Sequence, residues 1–115
     1  MSIIIDLAYL NSIAAGDQNF IHEILRMFIE HTLPDMENLK KAGQNRDMAG
    51  CTSTAHKMKS SIAMLGNEKA TELVSFIESA AKNGENADQI ITKINEFDVV
   101  LQTMASEIKG ILQTA

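Results

Sequence analysis

Met48-Ala49-Gly50-Cys51-Thr52-Ser53-Thr54-Ala55-His56-Lys57-Met58-Lys59-Ser60-Ser61-Ile62-Ala63-Met64-Leu65-Gly66 holds no proline, and its apolar residues recur at helical spacing. Cys51, Ala55, Met58, Ile62 and Leu65 stand at i, i+4, i+7, i+11 and i+14, which aligns them along one stripe of a single helix. At about 100° per residue, His56 projects roughly 140° from the middle of that stripe, so it faces water or a partner rather than a core. Ala49, Thr52, Ser53, Ser60 and Ala63 share the outward side and are all small, where a solvated helix face is usually furnished with Glu, Lys, Gln and Arg. Lys59, at i+3 from the histidine, leans to the same side and brings a cation within reach of anything attached to the ring.

The segments on either side repeat the helical pattern. Asp6 is placed to cap a short helix ending near Ala15, with Gly16 as its stop and Asp17 as the cap of the next. That second helix carries Phe20, Ile21, Ile24, Leu25 and Phe28 on one face, and Pro34 is expected to kink or break it near Leu33 before it resumes through Met36, Leu39 and Ala42 to Gly43. Asn45 or Asp47 opens the His56 helix, and Gly66-Asn67 reads as a stop followed by a new cap. Ala70, Leu73, Val74, Ile77 and Ala81 line the following helix, which Asn83-Gly84 closes. Asn86 with Gln89 resembles a capping box ahead of the longest stripe, Ile90, Ile94, Phe97, Leu101, Ala105, Ile108 and Leu112. Four long amphipathic segments behind one short capping helix predict an all-α fold: an antiparallel four-helix bundle with a short N-terminal capping helix, spanning residues 1–115 as a single domain.

Composition agrees with packed helices. Hydrophobic residues make up 45% of the 115, aromatics 4%, with one proline and no tryptophan, a profile poor in strand formers. The single cysteine, Cys51, falls in the buried stripe and reads as a small core residue of a protein kept in a reducing compartment. The seven methionines fall mostly on or beside the stripes as core filler, except Met64, which is expected to project outward beyond the histidine. Met1-Ser2-Ile3-Ile4-Ile5-Asp6 has an apolar run without the basic start of a signal peptide, and no stretch approaches the roughly 20 apolar residues of a membrane span, so a cytoplasmic protein without a membrane partner is expected. The net charge of −5 argues against nucleic acid as a partner. Within this acidic chain Arg46, Lys57, Lys59 and Lys69 outnumber Asp47 and Glu68, so the His56 helix is locally basic and suited to an acidic site or a phosphoryl group.

An exposed neutral imidazole is a good nucleophile near neutral pH, because a free ring titrates at about 6.5 and keeps one nitrogen lone pair available. It can accept a phosphoryl group, and Lys59 is placed to offset the charge that arrives with it. Ala55-His56-Lys57-Met58-Lys59-Ser60-Ser61, followed by Leu65-Gly66, resembles the signature of histidine-containing phosphotransfer domains, the relay modules of multistep two-component signalling. Asp6-Leu7, Gly16-Asp17, Phe28, Pro34, Asp47 and the helix after Gly66 extend the resemblance over nearly the whole chain.

The resemblance implies that His56, through its outer ring nitrogen, takes a phosphoryl group from a receiver-domain aspartyl-phosphate and hands it to another receiver's aspartate. Lys59 matches the family's charge-stabilising lysine. Glu78 falls where members often carry Glu or Gln facing the histidine, there to orient the other ring nitrogen or to contact the phosphoryl group; a plain solvated glutamate is the alternative. The family most often has glycine after the lysine and this chain has Ser60, as in some quorum-sensing members, which is still small enough for a receiver to approach. The docking surface implied comprises Thr52, Lys57, Ser60, Ala63 and Met64. Expected partners are receiver domains and a hybrid sensor kinase, with the chain itself monomeric. No cofactor is expected, Mg2+ being the receiver's. His22 and His31 have no matching partners and read as structural or solvated.

Rival readings have less behind them. A metal-binding bundle needs convergent ligands such as Glu-x-x-His pairs, which the sequence lacks. A hydrolase with His56 as base needs a nucleophile, an orienting acid and a cleft. No glycine-rich phosphate loop or ATP-binding signature appears, which points to a carrier and not an enzyme. The alternative that stays open is a helical-bundle adaptor that binds a protein on the same face without carrying phosphate.

Overall fold

The computed structural model describes residues 5–113, all of its regular elements being helical; residues 1–4 of the amino-terminal apolar run lie outside them. The helices are α1 (Ala8–Ala14), α2 (Gln18–Met27), α3 (Leu33–Gln44), α4 (Met48–Met64), α5 (Glu68–Lys82) and α6 (Ala87–Gln113), with a π-helical turn, Phe28–Thr32, between α2 and α3. Helix α3 packs on α4, α4 on α5, α5 on α6 and α6 back on α3, closing a four-membered ring whose largest interface is α4 with α5. At 27 residues, α6 is about 40 Å long at 1.5 Å per residue and sets the 43 Å length of the molecule. The ring with α1 at one end is the bundle expected.

The caps fall at or beside the expected residues. Asp17, Asp47 and Asn67 accept from the backbone N–H of Phe20, Gly50 and Ala70, and Asn86 accepts from those of Asp88 and Gln89. Each such cap is worth about 1 kcal/mol and fixes where its helix begins. The stripes are buried as their spacing requires: Cys51, Ala55, Met58, Ile62 and Leu65 on α4, Leu73, Val74 and Ile77 on α5, and Ile90 to Ile108 on α6.

Pro34 does not interrupt the helical run. Residues 18–44 stay helical throughout, and the disturbance appears as the π turn immediately before α3, with the proline in the first turn of α3. Proline lacks an N–H and crowds the carbonyl four residues back; that residue, Glu30, lies inside the wider π turn, where the ring is accommodated. Two apolar assignments also need correction. Phe20 is 40% exposed: it sits in the first turn of α2, whose buried residues are Ile21 and Leu25. Met64 is half-buried against the core instead of pointing outward.

The amino-terminal segment is fastened over the α4–α5 turn. Asp6 donates its N–H to the Leu65 carbonyl at 2.7 Å, and its carboxylate accepts from Ala8 N–H at 2.9 Å, which caps α1 as expected. Gly66 in that turn has φ +70°, and a Cβ there would lie 2.7 Å from Asp6 Cβ. Gly84 has a similar φ of +67° with open space around it. Gly84→Ala therefore carries only the left-handed backbone cost of about 1–2 kcal/mol, while Gly66→Ala adds displacement of the Asp6 segment. Urea unfolding of both variants should show Gly66→Ala as the more destabilised; equal losses would show that Asp6 exerts no constraint on the turn.

Candidate functional site

His56 leaves α4 on the side facing α5, with its side chain 75% exposed. Across the groove, burial of Val74, Ile77 and Ala81 rotates α5 so that Glu78 lies at the rim of the helix–helix contact, its side chain 17% exposed. One carboxylate oxygen of Glu78 lies 2.6 Å from His56 Nδ1, and the other accepts from Lys59 Nζ at 2.8 Å. A single carboxylate thus bridges the imidazole and the ammonium. The sequence put His56 and Lys59 on one side of a helix; the structure brings Glu78 to both.

This arrangement has electrostatic consequences. The hydrogen bond from Lys59 first, and that from His56 second, hold the Glu78 carboxyl below its usual range against an opposing push from burial. Glu78 is therefore an anion at neutral pH and accepts the Nδ1 proton, which leaves the lone pair on Nε2, the nitrogen turned away from Glu78. Around His56 lies a shallow open hollow with Ala49, Thr52 and Ser53 from α4 and Ala81 and Lys82 from α5. Ser60 and Ala63 are exposed further along α4. Ala81 and Lys82 were not singled out in the sequence, since helical periodicity describes one helix and says nothing about which residues of the next stand opposite.

Lys57 and Met64 do not join this group. Lys57 Nζ is 3.2 Å from Asp35 on α3, and both residues line a more enclosed cavity of about 240 Å3 between the α2–α3 rod and α4, with Met27, Phe28 and His31. That cavity is the better pocket by shape, but His56, Lys59 and Glu78 all lie outside it. His22 is half-buried and His31 exposed. Among the described residues no group of three or more His, Cys, Asp or Glu side chains could hold a metal ion, and no helix is long and apolar enough to cross a membrane. Burial pushes the Cys51 thiol pKa up, with the charge of Asp47 adding to it, so it is a poor nucleophile.

The model of the Hpt domain matches residues 23–111. The chain belongs to the Hpt-domain family. That membership carries a phosphotransfer role in two-component signalling, as a phosphocarrier rather than an enzyme. The fold is similar to the crystal structure of the HPT domain from the Hpt sensor hybrid histidine kinase from Shewanella, with a TM-score of 0.85 and 23% identity over 97% of this chain and 96% of that one. No curated protein matches the sequence.

The lowered Glu78 pKa fixes a pH signature. A carboxyl whose folded pKa is depressed contributes stability fully above its unfolded value, about pH 4.3, and loses it as pH falls through the lower folded value. The stability difference between the native chain and Glu78→Gln should shrink as pH falls below about 4, read by chemical denaturation at stepped pH. A difference independent of pH would show that Glu78 is not held as an ion by Lys59 and His56.

Proposed function

We propose that this Hpt domain is a phosphorelay intermediate. His56 accepts a phosphoryl group on Nε2 from a receiver-domain aspartyl-phosphate and passes it to the aspartate of another receiver. The observation that carries the reading is the Glu78 bridge, 2.6 Å to His56 Nδ1 and 2.8 Å to Lys59 Nζ. In the forward step the Nε2 lone pair attacks phosphorus, the N–P bond forms, the P–O bond to the receiver's carboxyl breaks, and the aspartate leaves as a carboxylate. The ring keeps its Nδ1 proton and gains positive charge, which the Glu78 carboxylate offsets across a charge-assisted hydrogen bond. Lys59 then exchanges a Glu78 oxygen for a phosphoryl oxygen. Reversal of the same sequence discharges the group onto the next receiver.

The low perimeter of Thr52, Ser60 and Ala63 supports docking of a receiver whose aspartate must come within bonding distance of the ring. Lys57, tied to Asp35 by a 3.2 Å ion pair, and Met64 flank that surface from the α2 side. The donor is taken to be the receiver of a hybrid sensor kinase, the setting of the similar Shewanella domain. Mg2+ would belong to the receiver, and the chain would act as a cytoplasmic monomer without a kinase activity of its own.

His56→Gln tests the reading. It should abolish labelling by a radiolabelled phosphorylated receiver while costing no more than about 1 kcal/mol, the scale of one exposed hydrogen bond. The native label should be lost in acid and survive base, as a phosphoramidate does. Label on His56→Gln, or acid-stable label on Ser60 or Ser61, would overturn the assignment.

A further inference from the structure

The hollow beside His56 offers an arriving anion one unengaged donor. Thr52 donates its hydroxyl to the Met48 carbonyl at 2.9 Å and Ser53 to that of Gly50 at 3.3 Å. His56 Nδ1 is taken by Glu78, and Lys59 is held by the same carboxylate. Lys57 is paired with Asp35 on the far side of α4. Lys82 lines the hollow with His56, is exposed, and has no ion pair or hydrogen bond from its side chain among the described residues.

Its position follows from the antiparallel pairing. Lys59 lies about one turn after His56 on α4, and Glu78 faces both. Lys82 is one turn after Glu78 on α5, which places it beside Ala49, Thr52 and Ser53, one turn before the histidine on α4. The two ammonium groups thus flank the imidazole along the groove, one already paired and one free.

We propose that Lys82 is a second phosphoryl-positioning cation at His56, contacting the oxygens of the N-linked phosphoryl group from the side opposite Lys59. The proposal rests on the phosphotransfer reading above and deepens it. A phosphoryl group in transfer spreads negative charge over three oxygens, and the neighbouring Glu78 anion repels it. Lys59 meets that charge with an ammonium whose field is already partly neutralised by Glu78 at 2.8 Å. Lys82, which lines the same hollow, brings a charge that no carboxylate among the described residues offsets.

The test is the ionisation of the phosphoryl group itself, because a cation in contact favours the dianion and lowers its second pKa. Phosphoramidate serves as the donor: Nε2 attacks phosphorus, the N–P bond of the donor breaks, and ammonia leaves, with no receiver involved. The 31P shift of the phosphohistidine is followed against pH in the native chain and in Lys82→Ala, Lys82→Gln and Lys82→Arg, each checked by a melting curve. The midpoint should rise by about 0.2–0.7 unit in the Ala and Gln variants, the scale of an exposed charge pair, and return to the native value in Lys82→Arg. Coincident midpoints in the native chain and Lys82→Ala would overturn the proposal, as would an Arg variant that behaves like Ala. A native chain that takes no phosphoryl group on His56 would instead remove the phosphotransfer reading, and this proposal with it.

Discussion

The packing of α5 against α4 is the constraint on which the rest of the site depends. Cys51, Ala55, Met58 and Ile62 on one helix and Ala70, Val74, Ile77 and Ala81 on the other are all buried, and several are small enough to let the two helices lie close. Burying Ile77 commits the next residue, Glu78, to the edge of the interface, while burying Ala55 and Met58 commits His56 and Lys59 to the facing edge. A rotation of α5 by one residue, about 100°, would carry Glu78 into the core or out to water. A carboxylate as enclosed as Glu78 needs partners to offset its lost hydration, and it finds both on α4. The Asp47 and Asn67 caps and the Gly66 turn hold the two helices at the lengths this geometry needs.

Most of the bundle was legible because each helix carries its own period and punctuation. The stripe through Cys51 and Leu65, the outward His56, the Asp17 and Asn67 caps and the α6 stripe all depend on residues within one segment. What was not legible depends on neighbours. Met64 is outward on an isolated helix, but the α2–α3 rod crosses that flank of α4 and half-buries it, and the same rod supplies Asp35 to Lys57. Phe20 errs the other way, since the spacing within one helix does not reveal where its buried arc ends. Pro34 signalled a disturbance correctly but not its form, because a π turn and a break answer the same missing N–H. Glu78 was reached through the family resemblance and not through spacing, for its contact with His56 spans 22 residues. Lys82 was missed for the same reason.

The openness of the site fits a carrier. An enclosed pocket that gripped the phosphoryl group would stabilise the loaded state and slow its discharge, whereas interactions shared by loaded state and transition state leave the barrier unchanged. Here the ring is exposed, and the nearest cations stand on solvated helix edges. In the proposed relay the phosphoryl group would be met by one carboxylate that favours the charged ring and repels the oxygens, and by lysines that do the reverse. Such a balance would keep the N–P bond transferable and leave most of the chemistry to the receiver that docks.

The central claim is that Glu78 holds the Nδ1 proton and so directs chemistry to Nε2. Long-range 1H–15N correlation spectra of the His56 ring, recorded before and after phosphorylation with phosphoramidate, test it directly. The account predicts a protonated Nδ1 and a bare Nε2 in the free chain, then phosphorus coupled to Nε2 with the Nδ1 proton retained. A free ring protonated on Nε2, or phosphorus attached to Nδ1, would contradict it.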